Sequence, residues 1–213
     1  MSYPILTRAE RIADGTIHVL GVGAALVAVG VFLHLFADRM PWGTFTGVTI
    51  YSAALVLMLG ASAAYHLAAY TPARPVLRRL DHAAIYIKIA GTFTPLSVAL
   101  GTGFGYVILG LVWTLALIGA GTKLMAARGR MSTGWWPYLA LGWIGVLLFV
   151  PLVAVLPGLT LGMILAGGLL YSVGIVFYRW DGLRYGTAVW HGFTLAASAC
   201  FFVGISTAVA AMV

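Results

Sequence analysis

Seven long apolar stretches occupy most of the chain, and short segments rich in turn-forming residues separate them. A helix that crosses the hydrocarbon core of a bilayer needs about 20 mainly apolar residues, and each stretch reaches that length. The stretches are continuous, whereas the strands of a membrane barrel alternate apolar and polar residues. We therefore predict an all-α integral membrane protein, a bundle of seven transmembrane helices. The predicted spans are 16–36, 46–69, 82–100, 106–125, 136–156, 159–179 and 187–213.

Composition also indicates lipid as the solvent of this chain. Hydrophobic residues make up 62% of the 213 residues, charged residues make up 8%, and the mean hydropathy is +1.03. A soluble globular protein is about 25% charged, so this sequence has too few charges to cover a surface in water. The spans leave no room for a soluble domain. We predict a single membrane domain, 1–213, with a short cytoplasmic segment at 1–15.

The basic residues predict how the bundle is oriented. Ten of the twelve lie on one side of the membrane if there are seven spans, and only Arg39 lies on the other. By the positive-inside rule the N-terminus is cytoplasmic and the C-terminus external. Because these residues are scattered over short loops, nucleic-acid binding is not expected. The ten are Arg8, Arg11, Arg74, Arg78, Arg79, Lys123, Arg128, Arg130, Arg179 and Arg184.

Three ionisable residues lie where predicted spans meet the cytoplasmic side: His66, Asp81 and His191. Ionisable groups in lipid are costly, so each is a candidate functional residue. Ser62 precedes His66 by four residues and shares its helix face. Two imidazoles and a carboxylate are typical of zinc sites, which makes His66 and His191 candidate metal ligands and Asp81 and Ser62 candidate catalytic groups. The alternative is that each is an interfacial polar residue satisfied by water and headgroups.

Other polar residues in the spans extend this candidate site. Lys88 lies two turns beyond Asp81 on the same helix face, too deep to reach the membrane surface easily. We expect it to pair with Asp81 or another acid; otherwise it is a fixed positive charge that takes over part of the electrostatic work of a metal. His18 lies near the inner end of the first span and is a further candidate. Glu10 and Asp14 are expected to cap that helix through its macrodipole.

Several separate motifs occur in order along the chain: Glu10 with Asp14 and His18, Ser62-Ala-Ala-Tyr-His66, Arg79-Leu-Asp81-His82 continuing to Gly91-Thr-Phe-Thr-Pro95, and Trp190-His191. Taken together, they resemble the hemolysin III family, the bacterial branch of the progestin and adipoQ receptors. That family is similar to alkaline ceramidases within a wider group of membrane hydrolases. The resemblance implies a seven-helix bundle with the N-terminus inside, in the plasma membrane of a bacterium.

The resemblance also implies a zinc site, built from one histidine in the second span and an H-x-x-x-H pair in the seventh. Carried over to this chain, His66 and His191 are ligands, and Ser62 and Asp81 support them. Thr187 stands four residues before His191, where the family pattern has a histidine, and a threonine hydroxyl is a poor zinc ligand. Three outcomes follow: His82 or His18 replaces the missing ligand, Asp81 coordinates directly, or the site holds no metal.

Three functions compete at this point. The first is a zinc-dependent, ceramidase-like hydrolase that cleaves an acyl amide of a membrane lipid, with Asp81 as base and Ser62 assisting. The second is a lipid-binding or sensing membrane protein with a degenerate metal site, in which the same cavity, including Lys88, holds a lipid headgroup. The third and weakest is a pore-forming hemolysin, since the sequence shows no signal-peptide pattern near residue 1 and no polar-lined span.

Overall fold

The computed structural model describes residues 6–127 and 134–213, and its regular elements over those ranges are all helical. Within them, six helices are long and apolar enough to cross a membrane, and a shorter apolar stretch covers Trp136–Leu152. This confirms the predicted all-α membrane bundle. Arg128 and Arg130 of the charge analysis lie outside the described residues. The helices are α1 (Arg8–Phe36), α2 (Trp42–Leu67), α3 (Arg74–Leu100), α4 (Gly103–Met125), α5 (Trp136–Trp143), α6 (Val146–Leu152), α7 (Gly158–Tyr178) and α8 (Gly186–Ala210), with a 3-10 turn at Ala37–Arg39.

Two helices begin about two turns before the spans that hydropathy predicts. Helix α1 begins at Arg8 because Thr7 and Glu10 form a capping box: the Glu10 amide donates to Thr7 Oγ1 at 3.2 Å, and the Thr7 amide donates to Glu10 Oε2 at 2.9 Å. Helix α3 begins at Arg74 with a proline in its first turn, where its missing N–H costs nothing. The predicted segment 1–15 therefore includes the first two turns of α1.

The fifth apolar stretch is not one continuous helix, contrary to the prediction of a span at 136–156. It is divided into α5 and α6 between Trp143 and Val146. At the break the Gly145 amide donates to the carbonyl of Gly142 at 3.1 Å, a tighter turn than the α-helix. A Cβ on Gly145 would lie 3.1 Å from that carbonyl and 3.3 Å from the Phe93 ring. Gly145 therefore allows the chain to bend closely against α3.

Close contacts through glycine position the helices around α3 and α8. A Cβ on Gly91 would lie 2.7 Å from the Cβ of Ala54, so α2 and α3 approach as only small residues permit. Gly21 brings α1 against α8, where a Cβ would lie 3.2 Å from Leu195. Helix α1 packs on both α2 and α8. Because neighbouring helices alternate in direction, the starts of α1, α3 and α8 and the end of α2 meet at the same end of the bundle.

Candidate metal centre

Four side chains from three helices converge at that end of the bundle. Helix α1 contributes Asp14 and His18, one turn apart on one face, α2 contributes His66, and α8 contributes His191. One potential ligand atom from each lies within 4.8 Å of all the others. We call Asp14, His18, His66 and His191 the histidine cluster.

The Asp14 carboxylate lies at the centre of the cluster. Its Oδ1 is 2.6 Å from His191 Nδ1, and its Oδ2 is 3.1 Å from His66 Nδ1. His18 Nε2 is farther away, 3.8 Å from Oδ2. The three imidazoles surround the carboxylate with ring centroids 4.3 to 4.9 Å apart. One negative group thus faces three ring nitrogens.

The donor set fits a divalent metal of the zinc type. Zinc binds histidine nitrogen and carboxylate oxygen at about 2.0–2.2 Å in a tetrahedron, which places neighbouring ligand atoms roughly 3.3–3.5 Å apart. The three distances from Asp14, 2.6 to 3.8 Å, bracket that spacing. His18 Nε2 is buried and has no hydrogen-bond partner, which is costly for a polar atom unless something binds it. Three imidazoles and one carboxylate could therefore hold a metal ion after small side-chain rotations.

The exposed fraction of the side chain differs among the members of the cluster and shows which one is most accessible from the adjoining cavity. The side chains of Asp14, His18 and His191 are 7%, 5% and 9% exposed, whereas that of His66 is 19% exposed. Polar groups this deep in a membrane protein require partners inside the protein, and the cluster supplies them to its own members. His66 is the member most accessible from the adjoining cavity.

Asp81 and Ser62 lie beside the cluster and are not part of it. Asp81 is buried, its carboxylate accepts a hydrogen bond from the Ser62 hydroxyl, and it interacts electrostatically with His66 and His191. The structure therefore brings together all four residues on which the sequence-based site depends. The roles assigned to them, two as ligands and two as catalytic groups, stay predictions.

The third imidazole comes from His18, and not from His82 or from the position of Thr187. His82 Nδ1 lies 3.1 Å from the Tyr138 hydroxyl, away from the cluster. Thr187 is half-buried on the cavity wall, one turn before His191. Helix α1, and not α8, thus supplies the third imidazole of the cluster. That His18 replaces the missing ligand, one of the three outcomes that the sequence left open, stays a prediction. The prediction that Asp14 acts as a helix cap is wrong, because its carboxylate contacts the imidazoles instead.

Glu10 joins the two helices that carry His18 and His191. Its Oε2 completes the capping box of α1, as predicted, while its Oε1 accepts a hydrogen bond from the amide of Tyr185 at 3.1 Å. Tyr185 precedes α8 in a left-handed conformation with φ of 59°, so its amide is turned away from the helix that it starts. This bond fixes the beginning of α8 to the beginning of α1. It thereby positions two imidazoles of the cluster relative to each other.

The cluster adjoins a cavity of about 1020 Å³, whose wall includes Ser62, His66, Asp81 and Lys88. The rest of the lining is mainly apolar, and the volume exceeds that of many small-molecule sites. The predicted ion pair of Lys88 with Asp81 or another acid is wrong. Among the described residues the Lys88 ammonium contacts two aromatic rings, and no carboxylate pairs with it.

The fold and the cluster define a multi-pass α-helical membrane protein with a buried group of histidines and a carboxylate that could hold a metal ion. Comparison with known proteins identifies the family to which it belongs. The sequence profile of the family described as "Haemolysin-III related" matches residues 8–202. The chain is 35% identical over 202 residues to "Hemolysin-3 homolog" of Bacillus subtilis (strain 168), covering 93% of each chain. It is 33% identical over 197 residues to "Hemolysin-3" of Bacillus cereus, covering 91% of this chain and 89% of the relative. The chain belongs to the haemolysin III family.

Proposed function

We propose that the protein is a zinc-dependent hydrolase that cleaves an amide bond of a membrane lipid. The observation that supports this most strongly is the position of Asp81, with its Ser62 partner, beside the histidine cluster on the wall of a mainly apolar cavity. A potential general base, a potential metal centre and room for an acyl chain lie together in this protein. These are the parts that metal-assisted hydrolysis of a lipid amide requires.

His18, His66 and His191 would hold the ion, with Asp14 as the anionic member of the set. A zinc ion bound there would supply Lewis-acid activation of a water molecule and of the amide carbonyl.

Asp81 and Ser62 would carry out the proton transfers of this reaction. Asp81 accepts a proton from the attacking water as the new C–O bond forms at the carbonyl carbon. It then returns that proton to the nitrogen as the C–N bond breaks, so that a fatty acid and an amine leave. The Ser62 hydroxyl donates to the Asp81 carboxylate and holds it in place. The apolar wall of the cavity excludes water from the acyl chain.

We further propose that the protein lies in the plasma membrane of a bacterium, with the start of α1 on the cytoplasmic side. The support is the excess of basic residues at that end and the bacterial origin of the two relatives. The substrate would then enter from the inner leaflet. Membrane lipids are the expected partners, and nucleic acid is not expected to bind.

The test is elemental analysis and an amide-cleavage assay on the same detergent-purified protein. The wild type is expected to contain about one zinc per chain and to release fatty acid from a ceramide-like amide. His66→Ala should lose both, and Asp81→Asn should lose only the release of fatty acid. Folded wild-type protein without metal and without cleavage would contradict the proposal.

A second candidate, a lipid-binding or sensing protein without catalysis, is supported by Asp14 itself. Catalytic zinc sites have three protein ligands and an open position, whereas structural sites have four protein ligands. The histidine cluster offers four. A protein that contains stoichiometric zinc, is stabilised by lipid and cleaves no amide would favour this candidate. Lysis of red cells by the same preparation would instead favour the activity stated in the names of the relatives.

A further inference from the structure

Lys88 places a basic side chain near the middle of the bundle. It lies 14 residues after the first residue of α3, Arg74, and 12 before the last, Leu100. Along the helix it is seven residues from Asp81, a rise of about 10 Å. Only 3% of its surface is exposed, and that surface forms part of the cavity wall. The inner part of the cavity therefore contains an amine that is separate from the histidine cluster.

The surroundings of Lys88 stabilise a cation only partly. Its Nζ lies 4.7 Å from the ring centre of Tyr171 and 4.6 Å from that of Phe201. The two rings are 6.2 Å apart, so the amine lies close to both of them. The Tyr171 hydroxyl is bonded to Ser198 at 2.9 Å. Cation–π contacts are favourable but do not neutralise the charge. We call Lys88, Tyr171 and Phe201 the lysine site.

The acidic residues of the chain are all placed elsewhere. There are five, and each belongs to the described part of the protein. Glu10 bonds Thr7 and Tyr185, Asp14 bonds the imidazoles, and Asp81 accepts from Ser62. The other two, Asp38 and Asp181, are exposed in turns between helices. None of these five side chains pairs with Lys88, so a bound anion could supply its counter-charge.

We propose that Lys88 binds the carboxylate of a long-chain fatty acid whose chain occupies the apolar cavity. One ammonium matches one negative charge, and an ammonium–carboxylate contact is a strong, charge-assisted hydrogen bond. The cavity near Lys88 is lined by side chains suited to an alkyl chain, among them Ile85, Ile89, Phe93 and Ile164. A doubly charged phosphate would keep an unmatched charge at this depth, which disfavours it.

The inference does not require that the protein is a hydrolase, but it deepens that proposal. A fatty acid is the acyl product of amide cleavage, and it is also a free component of bilayers. If the reaction takes place, Lys88 is where the product carboxylate rests, about two helical turns from the site of cleavage. If it does not, the same site takes fatty acid from the membrane. The chemistry of recognition is the same in both cases.

The experiment measures the binding of carboxyl-labelled palmitate to protein in nanodiscs of zwitterionic lipid. Lys88→Met keeps an unbranched side chain of similar size and removes the charge, and its affinity for palmitate is expected to fall about tenfold or more. Lys88→Arg keeps a cation and should retain most of the binding. Lys123→Met is the matched control. It alters the other lysine of the chain, which is also buried but does not line the cavity, and it should bind as the wild type does. Hexadecanol should bind all four proteins equally.

Repeating the binding measurement after a chelator has removed metal distinguishes binding at the lysine site from binding at the histidine cluster. Palmitate binding that survives metal removal and the His66→Ala substitution, and that is lost in Lys88→Met, supports the proposal. Binding unchanged in Lys88→Met overturns it, and so does binding that metal removal abolishes. Fatty acid that co-purifies with both wild type and Asp81→Asn comes from the bilayer, whereas fatty acid found only with the wild type is the product of cleavage.

Discussion

The histidine cluster and the lysine site share one cavity and differ in how their charges are balanced. In the cluster, the chain supplies a carboxylate and the three imidazoles around it, so most of its polar atoms find partners. At the lysine site it supplies one amine and two aromatic faces. The cluster has the composition of a site for a cation, and the lysine site that of a site for an anion. The carboxylate of a fatty acid therefore fits the lysine site, whereas the histidine cluster favours a cation.

The largest effect is expected from removing the imidazole that α1 supplies. His18→Ala should weaken zinc binding by at least about a hundredfold, because the loss of a direct ligand exceeds the 10- to 100-fold effect of outer-shell partners. Elemental analysis after dialysis against a graded chelator measures it. Palmitate binding at Lys88 should be unchanged.

His82→Ala is the control for that experiment. His82 is the other histidine that the sequence offered as a replacement ligand, and it bonds Tyr138 instead. Its variant should retain zinc at the wild-type affinity. Loss of zinc in His82→Ala with retention in His18→Ala would contradict the assignment of the third imidazole.

The next largest effect concerns Asp81, which lies beside the histidine cluster and seven residues before Lys88 on α3. Asp81→Asn should lower kcat for amide cleavage by about a hundredfold or more, the contribution of a general base, while zinc content stays near one per chain. Ser62→Ala removes only the hydrogen bond to Asp81 and should lower kcat by a smaller factor than Asp81→Asn does. An Asp81→Asn protein that has lost its zinc would show that Asp81 is a ligand and not a base.

Hydropathy was sufficient to predict the fold, because lipid imposes long apolar helices. Hydropathy was also sufficient to predict that His66, Asp81 and His191 lie at one end of the bundle, because counting the spans puts all three on the same side of the membrane. It did not reveal that α1 packs between α2 and α8, which depends on small contacts such as Gly21 against Leu195. For that reason His18 was one of several candidate ligands in the sequence, and Asp14 was expected only to cap its helix.

A signal for Asp14 and His18 was present in the sequence. They continue a stripe of small residues, Gly21 and Ala25, spaced four, three and four residues apart, and all four are buried. Polar residues on the same helix face as small residues face protein and not lipid. The surroundings of Lys88 had no comparable signal, because Tyr171 of α7 and Phe201 of α8 are far from it in sequence and meet it only in the folded protein.

A rescue experiment tests whether the third ligand has moved between helices. Adding Thr187→His to His18→Ala restores an imidazole one turn before His191, on the same face of α8. Zinc affinity should recover about tenfold relative to His18→Ala alone, because the new ring comes from the same cavity wall. The single variant Thr187→His measures any added affinity when His18 is present. No recovery in the double variant would mean that position 187 does not reach the cluster.

The smallest effect is expected at Glu10, which contacts neither site but joins α1 to α8. Glu10→Gln keeps one carbonyl oxygen, so it cannot fully serve both the capping box and the Tyr185 amide. We expect zinc affinity to fall by less than about tenfold, weaker than the loss of a direct outer-shell partner, with a small decrease in Tm. Thr7→Val removes the hydroxyl of the capping box and leaves the Tyr185 bond intact. It should lower Tm to a similar extent and leave zinc affinity unchanged. Equal loss of zinc in both variants would show that fraying of α1, and not the bond to α8, determines how the cluster is held.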